Sequence, residues 1–283
     1  MKVHPFNIPK PAGERLVVQI DRSASFYNKL HQHEEIQISH IVSGEGKLVV
    51  ADSVHQYKAG DTFVIGQYCP HVFLSARDST PSHMISVFFT KTSFGDHFFE
   101  FPEMEALQGF FKRSQAGFKV DDSLKVPELM HQLAGAKKLS KFLLFLQLLN
   151  SLSAAPHQVL TTYVYPKKIS VNEGNRMSTV IDFVMNNFQQ EISLKTVAEI
   201  AYMTPNAFCR FFKLRTNKTF FQFLIELRIA HACSMLGDNS PLPISEIAIA
   251  SGFKSISNFN RKFKQTTGLS PSEYFKSLVV QTA

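Results

Sequence analysis

Residues 244–274 read ISEIAIASGFKSISNFNRKFKQTTGLSPSEY, and residues 194–223 read LKTVAEIAYMTPNAFCRFFKLRTNKTFFQF. Laid one over the other, they are a single helical pattern written twice. Val197-Ala198 aligns with Ile247-Ala248, and Met203 with Phe253. After one extra residue in the second turn, Phe208 aligns with Phe259, Arg210 with Arg261, Phe212 with Phe263, Lys213 with Lys264 and Asn217 with Gly268. The pattern predicts, in each copy, a supporting helix, a tight turn and a second helix with one buried and one polar face. Two helix-turn-helix units follow.

In the first copy Leu194, Val197, Ala198 and Ala201 make an apolar stripe. Thr204 offers a capping hydroxyl and Pro205 suits the first helical turn. Phe208, Phe211 and Phe212 point inward, which leaves Asn206, Cys209, Arg210 and Lys213 at i, i+3, i+4 and i+7 on one outward face. Asn can bond an adenine edge, Arg can fork onto guanine and Lys can reach a phosphate, so this face suits a DNA groove. In the second copy Ile247, Ala248 and Phe253 form the base, and Phe259 and Phe263 go inward. Ser255, which also caps the helix, joins Ser257, Asn258, Arg261 and Lys262 as the second outward set. Ile256 fits either face. Thr267-Gly268 ends that helix with glycine in the left-handed position, and Ser270-Pro271-Ser272-Glu273 is a capping box that opens the last one. Between the copies, 219–236 reads as one helix stopped by Gly237-Asp238-Asn239. Its length of roughly 27 Å would let it act as a strut between two reading helices spaced about one DNA turn, ~34 Å, apart. An exposed Arg is ordinarily a solvated surface residue. The recurrence of Arg210 and Arg261 at equivalent places favours DNA contact over that reading.

Charge agrees with this. The chain of 283 residues carries a formal net charge of +7, and from Arg176 onward 12 Lys and Arg stand against 7 Asp and Glu. The positive excess lies with the repeated helices, where phosphates would be met. Three cysteines, widely spaced and without a C-x-x-C, argue against a disulfide scaffold or a zinc finger. The opening residues lack a charged start followed by an apolar core, so no signal peptide is expected, and 142–149 is too short to cross a bilayer. A cytoplasmic protein without a membrane partner is expected.

The first half has a different rhythm. Val17-Val18 and stretches 36–42, 47–50, 62–65, 72–76 and 84–90 are β-branched or aromatic. Turn-like breaks at 44–46, 59–61 and 77–81 separate them, which predicts a small antiparallel barrel or sandwich. Helix follows from Glu103. Within 139–152 the apolar residues cover more than one face, so that helix is either buried on both sides or a seam with a second copy. Residues 154–175, with Pro156, Pro166, Gly174 and Lys167-Lys168, read as a linker. The organisation expected is 1–153 sensing, 154–175 linker and 176–283 DNA-binding.

On 177–278, and above all on Ile244–Ala248, Gly252-Phe253, Phe259–Lys264 and Thr267–Tyr274, the chain resembles the AraC family of transcription regulators. The resemblance implies an all-α domain of seven helices with two helix-turn-helix units, promoter DNA as partner, contact with RNA polymerase and activation. His31-Gln32-His33-Glu34-Glu35-Ile36-Gln37 and the later Cys69-Pro70-His71 resemble a cupin barrel, which precedes the DNA-binding domain in many such regulators. The fold class expected is therefore two-domain α+β. In metal-binding cupins two His of an H-x-H, a Glu and a distant His meet one ion. Here His31, His33 and His71 match three ligands, Gln37 takes the Glu position, and Glu35 alternates to the same side. Since Gln is the weaker ligand for a divalent cation, these five are assigned first to a small-molecule effector such as a sugar. No cofactor or metal is assigned, and a metal site or a merely structural cluster stands behind. The resulting reading is a non-enzymatic, sequence-specific, effector-controlled DNA-binding regulator, a homodimer through 139–152. A cupin-type metalloenzyme with an accessory helical domain is the alternative, and an architectural or RNA-binding protein ranks below it.

Overall fold

The computed structural model describes residues 14–76, 80–121, 125–161, 171–237 and 242–281. The opening residues, the middle of the 77–81 turn, the 162–170 part of the expected linker with Pro166 and Lys167-Lys168, and the helix stop at Asp238-Asn239 lie outside them. The chain divides into two compact units, Met1–Asn175 and Arg176–Ala283.

The first unit contains β1 (Val17–Ser23), β2 (Ile36–Ser43), β3 (Gly46–Val50), β4 (Ser53–Tyr57), β5 (Thr62–Ile65), β6 (His71–Ser75), β7 (Ser82–Phe89), β8 (Phe118–Val120) and β9 (His157–Val159), with α1 (Gln108–Ser114), α2 (Lys125–Gly135) and α3 (Lys138–Ala154). One sheet has the order β1-β7-β2-β5-β8-β9 and the other β4-β3-β6, with every pairing antiparallel. Ile41, Leu48, Val50, Tyr57, Phe63, Ile65, Phe73 and Met84 share one core, so the two sheets face each other and enclose it. The opposite face of the larger sheet presents Ile36, Ile38, Val64, Ile85, Val87 and Phe89 to the helices, against Phe110, Met130, Phe145, Leu148 and Leu149. Strand alternation then fixes the polar residues of β2: Gln37 and Ser39 point into the barrel with Ile41, and His40 points to the helical side.

The six strands expected from the sequence are all present. β4, β8 and β9 are additional; they are short, and β9 falls inside the stretch expected to be linker. α3 buries Phe145, Leu148, Leu149 and Leu152 in the unit's own core and leaves Leu139 and Leu143 67% and 51% exposed. Core burial thus takes one face of that helix and leaves the other open.

The second unit runs through α4 (Val171–Asn187), α5 (Leu194–Ile200), α6 (Pro205–Thr216), α7 (Phe220–Gly237), α8 (Ile244–Ala250), α9 (Ile256–Thr267) and α10 (Pro271–Gln281), seven helices among the described residues. The caps fall where the sequence puts them. Thr204 Oγ1 accepts from Ala207 N, Ser255 Oγ from Asn258 N, and Ser270 N donates to Glu273 Oε2 at 2.8 Å in the reciprocal box. Asn217 and Gly268 close α6 and α9 with φ 55° and 81°.

α7 does more than hold a distance. Ile229, Ala232 and Leu236 pack with Ile247, Ala248, Phe253, Phe259 and Phe263. Its first turns stack Phe220 and Phe223 on Phe208 and Phe212, with centroids 5.6–5.7 Å apart. The expected strut is a wall shared by both cores. Hydrophobic burial on both ends, rather than helix stiffness alone, keeps the two helix-turn-helix motifs in register.

Candidate nucleic-acid interface and effector pocket

On α6 the inward face carries Phe208, Phe211 and Phe212, all buried. Asn206, Cys209, Arg210 and Lys213 are all exposed on the other side, as the spacing requires. On α9, Phe259 and Phe263 are buried, Ser255, Ser257, Asn258 and Arg261 are exposed, and Lys262 is half-buried. Ile256, which the sequence could not place, is 46% exposed and lies on the outer side at the helix start. One guanidinium nitrogen of Arg261 donates to Asn258 Oδ1 at 2.8 Å, one helical turn back. That bond holds the Arg fork against the helix before any base is met. The expected outward residues therefore lie on the solvent side of each second helix, except Lys262, which is half-buried beside it.

The candidate effector site is a buried polar cluster of the barrel. His31, His33, Glu35, Gln37 and His71 are all buried, although they are polar. The loop before β2 brings His33 and Glu35 in, β2 supplies Gln37 and β6 supplies His71, whose backbone bridges that of His31. One nitrogen from each histidine lies within 4.8 Å of the others.

Their protons can be assigned by following the second nitrogen of each ring. His31 Nδ1 is 2.8 Å from the Lys29 carbonyl oxygen and His71 Nδ1 is 2.9 Å from that of Cys69. A carbonyl only accepts, so both rings carry hydrogen on Nδ1 and turn a bare Nε2 inward. His33 Nδ1 is 3.5 Å from Glu35 Oε2, too long for a good hydrogen bond, but the acidic neighbour favours the hydrogen on that same atom. Burial pushes His31 down to about 4 and His71 well below the ordinary imidazole value, helped by the neighbouring rings, so these two imidazoles are neutral.

The Gln37 side-chain oxygen lies 3.0 Å from His33 Nε2 and 2.9 Å from His71 Nε2. Two bare nitrogens and an oxygen cannot bond one another without hydrogen or a cation between them. With the amide turned over, its two N–H groups meet the two imidazoles and its oxygen takes the Ser39 hydroxyl, whose Oγ is 2.8 Å from the amide's other end. With the oxygen inward, three nitrogens and one oxygen offer lone pairs to a bound species. Gln can do either; Glu could do only the second without taking a proton. Ser39 continues through Ser86, 2.8 Å away, and Phe88 meets His33 edge to face. Neither serine was singled out in the sequence, though Ser39 stands two residues beyond Gln37 and alternation alone would have found it.

The donor set fits a divalent transition cation. Imidazole nitrogens suit such ions, and the outer nitrogens of His31 and His71 are anchored to carbonyls, as is usual for metal-bound histidines. It fits a hydroxyl-bearing organic molecule equally, since hydroxyls would donate to the same lone pairs.

Residues 197–277 match the helix-turn-helix domain family model and residues 17–88 the cupin domain model. The chain is 28% identical over 116 residues to the melibiose operon regulatory protein of Escherichia coli (strain K12), a match that spans 41% of this chain and 38% of that relative's length. It is 23% identical over 262 residues to the HTH-type transcriptional activator RhaR of Salmonella arizonae, 86% of each chain. These matches agree with the resemblance to the AraC family of regulators. Among solved structures, ToxT from Vibrio cholerae O395 aligns over 93% of this chain and 98% of its own, at 15% identity and a TM-score of 0.39.

The chain departs from that resemblance at Gln37, in the position of the cupin glutamate, and at Asn217, where the first helix-turn-helix usually has Gly. Asn tolerates the left-handed backbone that Asn217 adopts. A third feature escapes a sequence reading: Tyr202 sits at φ 54°, where the second unit has Gly252 at φ 87°. No helix among the described residues is long and apolar enough to cross a membrane.

Proposed function

We propose that this protein is a sequence-specific DNA-binding transcription regulator whose barrel pocket receives a small effector. The observation that carries the reading is the pair of capped helices α6 and α9, each buried through phenylalanines and each offering an exposed arginine, Arg210 or Arg261, at the equivalent place. Asn206, Cys209 and Lys213 on one helix, and Ser255, Ser257, Asn258 and Lys262 on the other, would complete the contacts. Activation through RNA polymerase, a cytoplasmic location and a non-enzymatic role belong to the same proposal. Leu139 and Leu143 on α3 support a homodimer seam. Residues 1–153 would sense, and 176–283 would read DNA.

The test is selection of bound duplexes from a random library, with and without candidate metabolites. Recovery of one motif with half-sites about one helical turn apart is expected; a pool without sequence preference would refute the proposal.

For the effector, a polar molecule rich in hydroxyls, such as a sugar, is the first reading. The inward-facing imidazole lone pairs support a second, a divalent metal held by His31, His33, His71 and the Gln37 oxygen, which would supply positive charge at the centre of the cluster. Metal analysis of the purified protein separates the two. Stoichiometric zinc, manganese, nickel or iron that disappears in His33→Ala selects the second.

A further inference from the structure

The pocket is wired to the segment that leads, in sequence, toward the helix-turn-helix half. His71 Nδ1 donates to the Cys69 carbonyl at 2.9 Å, and the next carbonyl, that of Pro70, accepts from Ala51 N at 2.8 Å. His71 is also the register partner of Val50 on β3. Ala51 and Asp52 form the tight β3–β4 turn, with Ala51 in the left-handed region at φ 52°. From this turn and from β4, two side chains reach residues 160 and 161. Asp52, 1% exposed, accepts from the Thr161 hydroxyl, and also from Ser53 Oγ at 3.1 Å. His55 Nε2 lies 2.7 Å from the Leu160 carbonyl, to which it donates.

The segment they hold is fixed on its other side as well. Leu160 N donates to Gly117 O at 3.0 Å and Thr161 N to Ala116 O at 3.1 Å. The Leu160 side chain sits in the barrel core together with Cys69. A short run of contacts therefore joins the pocket histidine to the end of β9 without a solvent gap.

We infer that the β3–β4 hairpin, through Asp52 and His55, is a clasp that couples occupancy of the His71 pocket to the hold on residues 160–161. Asp52 and His55 are positioning residues here and touch no effector. A species bound at His71 Nε2 draws electron density from the ring and makes its Nδ1–H a stronger donor to Cys69 O. It thereby braces the 69–71 segment against which the hairpin is hung. Coupling is reciprocal, so a change at Thr161 is felt at His71. The inference rests on the pocket being the effector site.

The experiment uses the full chain and needs no effector. Hydrogen exchange is followed at the Leu160 and Thr161 amides, and 15N shifts at the His71 imidazole. Thr161→Val leaves a buried carboxylate short of a donor and should speed exchange about tenfold or more, while moving the His71 nitrogen shifts. Thr161→Ser, which keeps the hydroxyl, should leave both near wild type. His71→Gln lacks a donor at the Nδ1 position and should also speed exchange, and combined with Thr161→Val it should give less than the product of the two effects. His55→Gln, at a half-buried site, replaces Thr161→Val if that variant does not fold. Faster exchange with His71 shifts unmoved, and multiplicative rates in the double variant, would reduce the clasp to a local structural contact and overturn the inference. A pocket that binds no regulator leaves this coupling intact, and an uncoupled clasp leaves effector binding intact, so the two readings fail separately.

Discussion

Gly252→Ala is the substitution that most directly tests how the second reader is held. Gly252 sits at φ 87° in the turn between α8 and α9. A Cβ there would lie 2.8 Å from Phe188 O, 2.9 Å from Arg228 Nε and 2.9 Å from Gln189 Cα. Arg228 cannot simply swing away, because its Nε donates to Phe188 O at 2.7 Å and another guanidinium nitrogen to Gln190 O at 2.8 Å. The left-handed backbone costs an alanine about 1–2 kcal/mol, and crowding of fixed backbone about as much again. The total is about 3 kcal/mol, or a fall of about 10–20 °C in melting temperature for a unit of this size. The first repeat provides the control. Tyr202 has φ 54° but is 87% exposed, so it is strained without being crowded. Tyr202→Gly relieves that strain and loosens the unfolded chain by a similar amount, leaving stability within about 1 kcal/mol of wild type. Calorimetry on the full chain, with hydrogen exchange to assign the transition to this unit, reads both. Equal shifts for the two variants, or a loss under about 1 kcal/mol for Gly252→Ala, would show that the turn is not held against α4 and α7 as described.

Three further outcomes are expected. Arg210→Ala and Arg261→Ala should each weaken binding to the selected site by about 1–3 kcal/mol at matched salt, with little effect on melting; unchanged affinity in the double variant would exclude these helices as readers. His40, buried beside Thr62 and His131, is held down to about 4 by burial first and by the neighbouring His131 second. The unfolded chain therefore takes up a proton below pH 6.5 that the folded chain refuses until about 4, so its contribution is complete above 6.5 and is lost as pH falls toward 4. Discounted for partial solvent screening, this is about 2 kcal/mol, and His40→Gln should remove that share of the acid slope in urea titrations, with the share from His31 and His71 remaining. Gln37→Glu should bind zinc chloride more tightly in calorimetric titration while lowering the stability of the zinc-free protein, because a carboxylate has no hydrogen for the two imidazoles; equal or weaker zinc binding would count against the donor assignment.

The helical half was legible because its signals are local. Capping hydroxyls at Thr204, Ser255 and Ser270 and left-handed closures at Asn217 and Gly268 act within a turn of the residue that carries them. Phenylalanine spacing decides which face is buried. The role of α7 was less legible, since a helix apolar on all sides states that it is buried without stating by what. In the barrel, long alternating strands could be found, but β8 and β9 are three residues each and exist because β5 and β8 offer open edges. No pattern of three residues encodes that. The pocket was half visible: the histidines and Gln37 stood out by type and Ser39 follows from alternation, whereas Ser86 comes from a strand 47 positions away and the carbonyls that fix the tautomers depend on local backbone geometry that no residue type announces. The Asp52–Thr161 contact spans 109 positions and left no sequence signal.

The two readers, though duplicated, are not equivalent, and their differences bear on how DNA would be met. Aligned on the phenylalanines, Cys209 stands opposite Asn260, and Phe211 opposite Lys262. The thiol is a weak donor, and Phe211 is buried, so α6 offers Asn206, Arg210 and Lys213 as its strong polar groups. α9 offers Ser257, Asn258, Asn260, Arg261 and Lys262, with Arg261 already braced by Asn258. A braced guanidinium loses less freedom on meeting a base than a free one, and discrimination rises with the number of oriented donors. The half-site under α9 should therefore tolerate fewer base changes than the one under α6, and duplex selection reads this directly as unequal conservation of the two half-sites. Equal stringency would mean that base reading does not follow the exposed donors of these helices, and that DNA shape or phosphate contacts set the sequence preference instead.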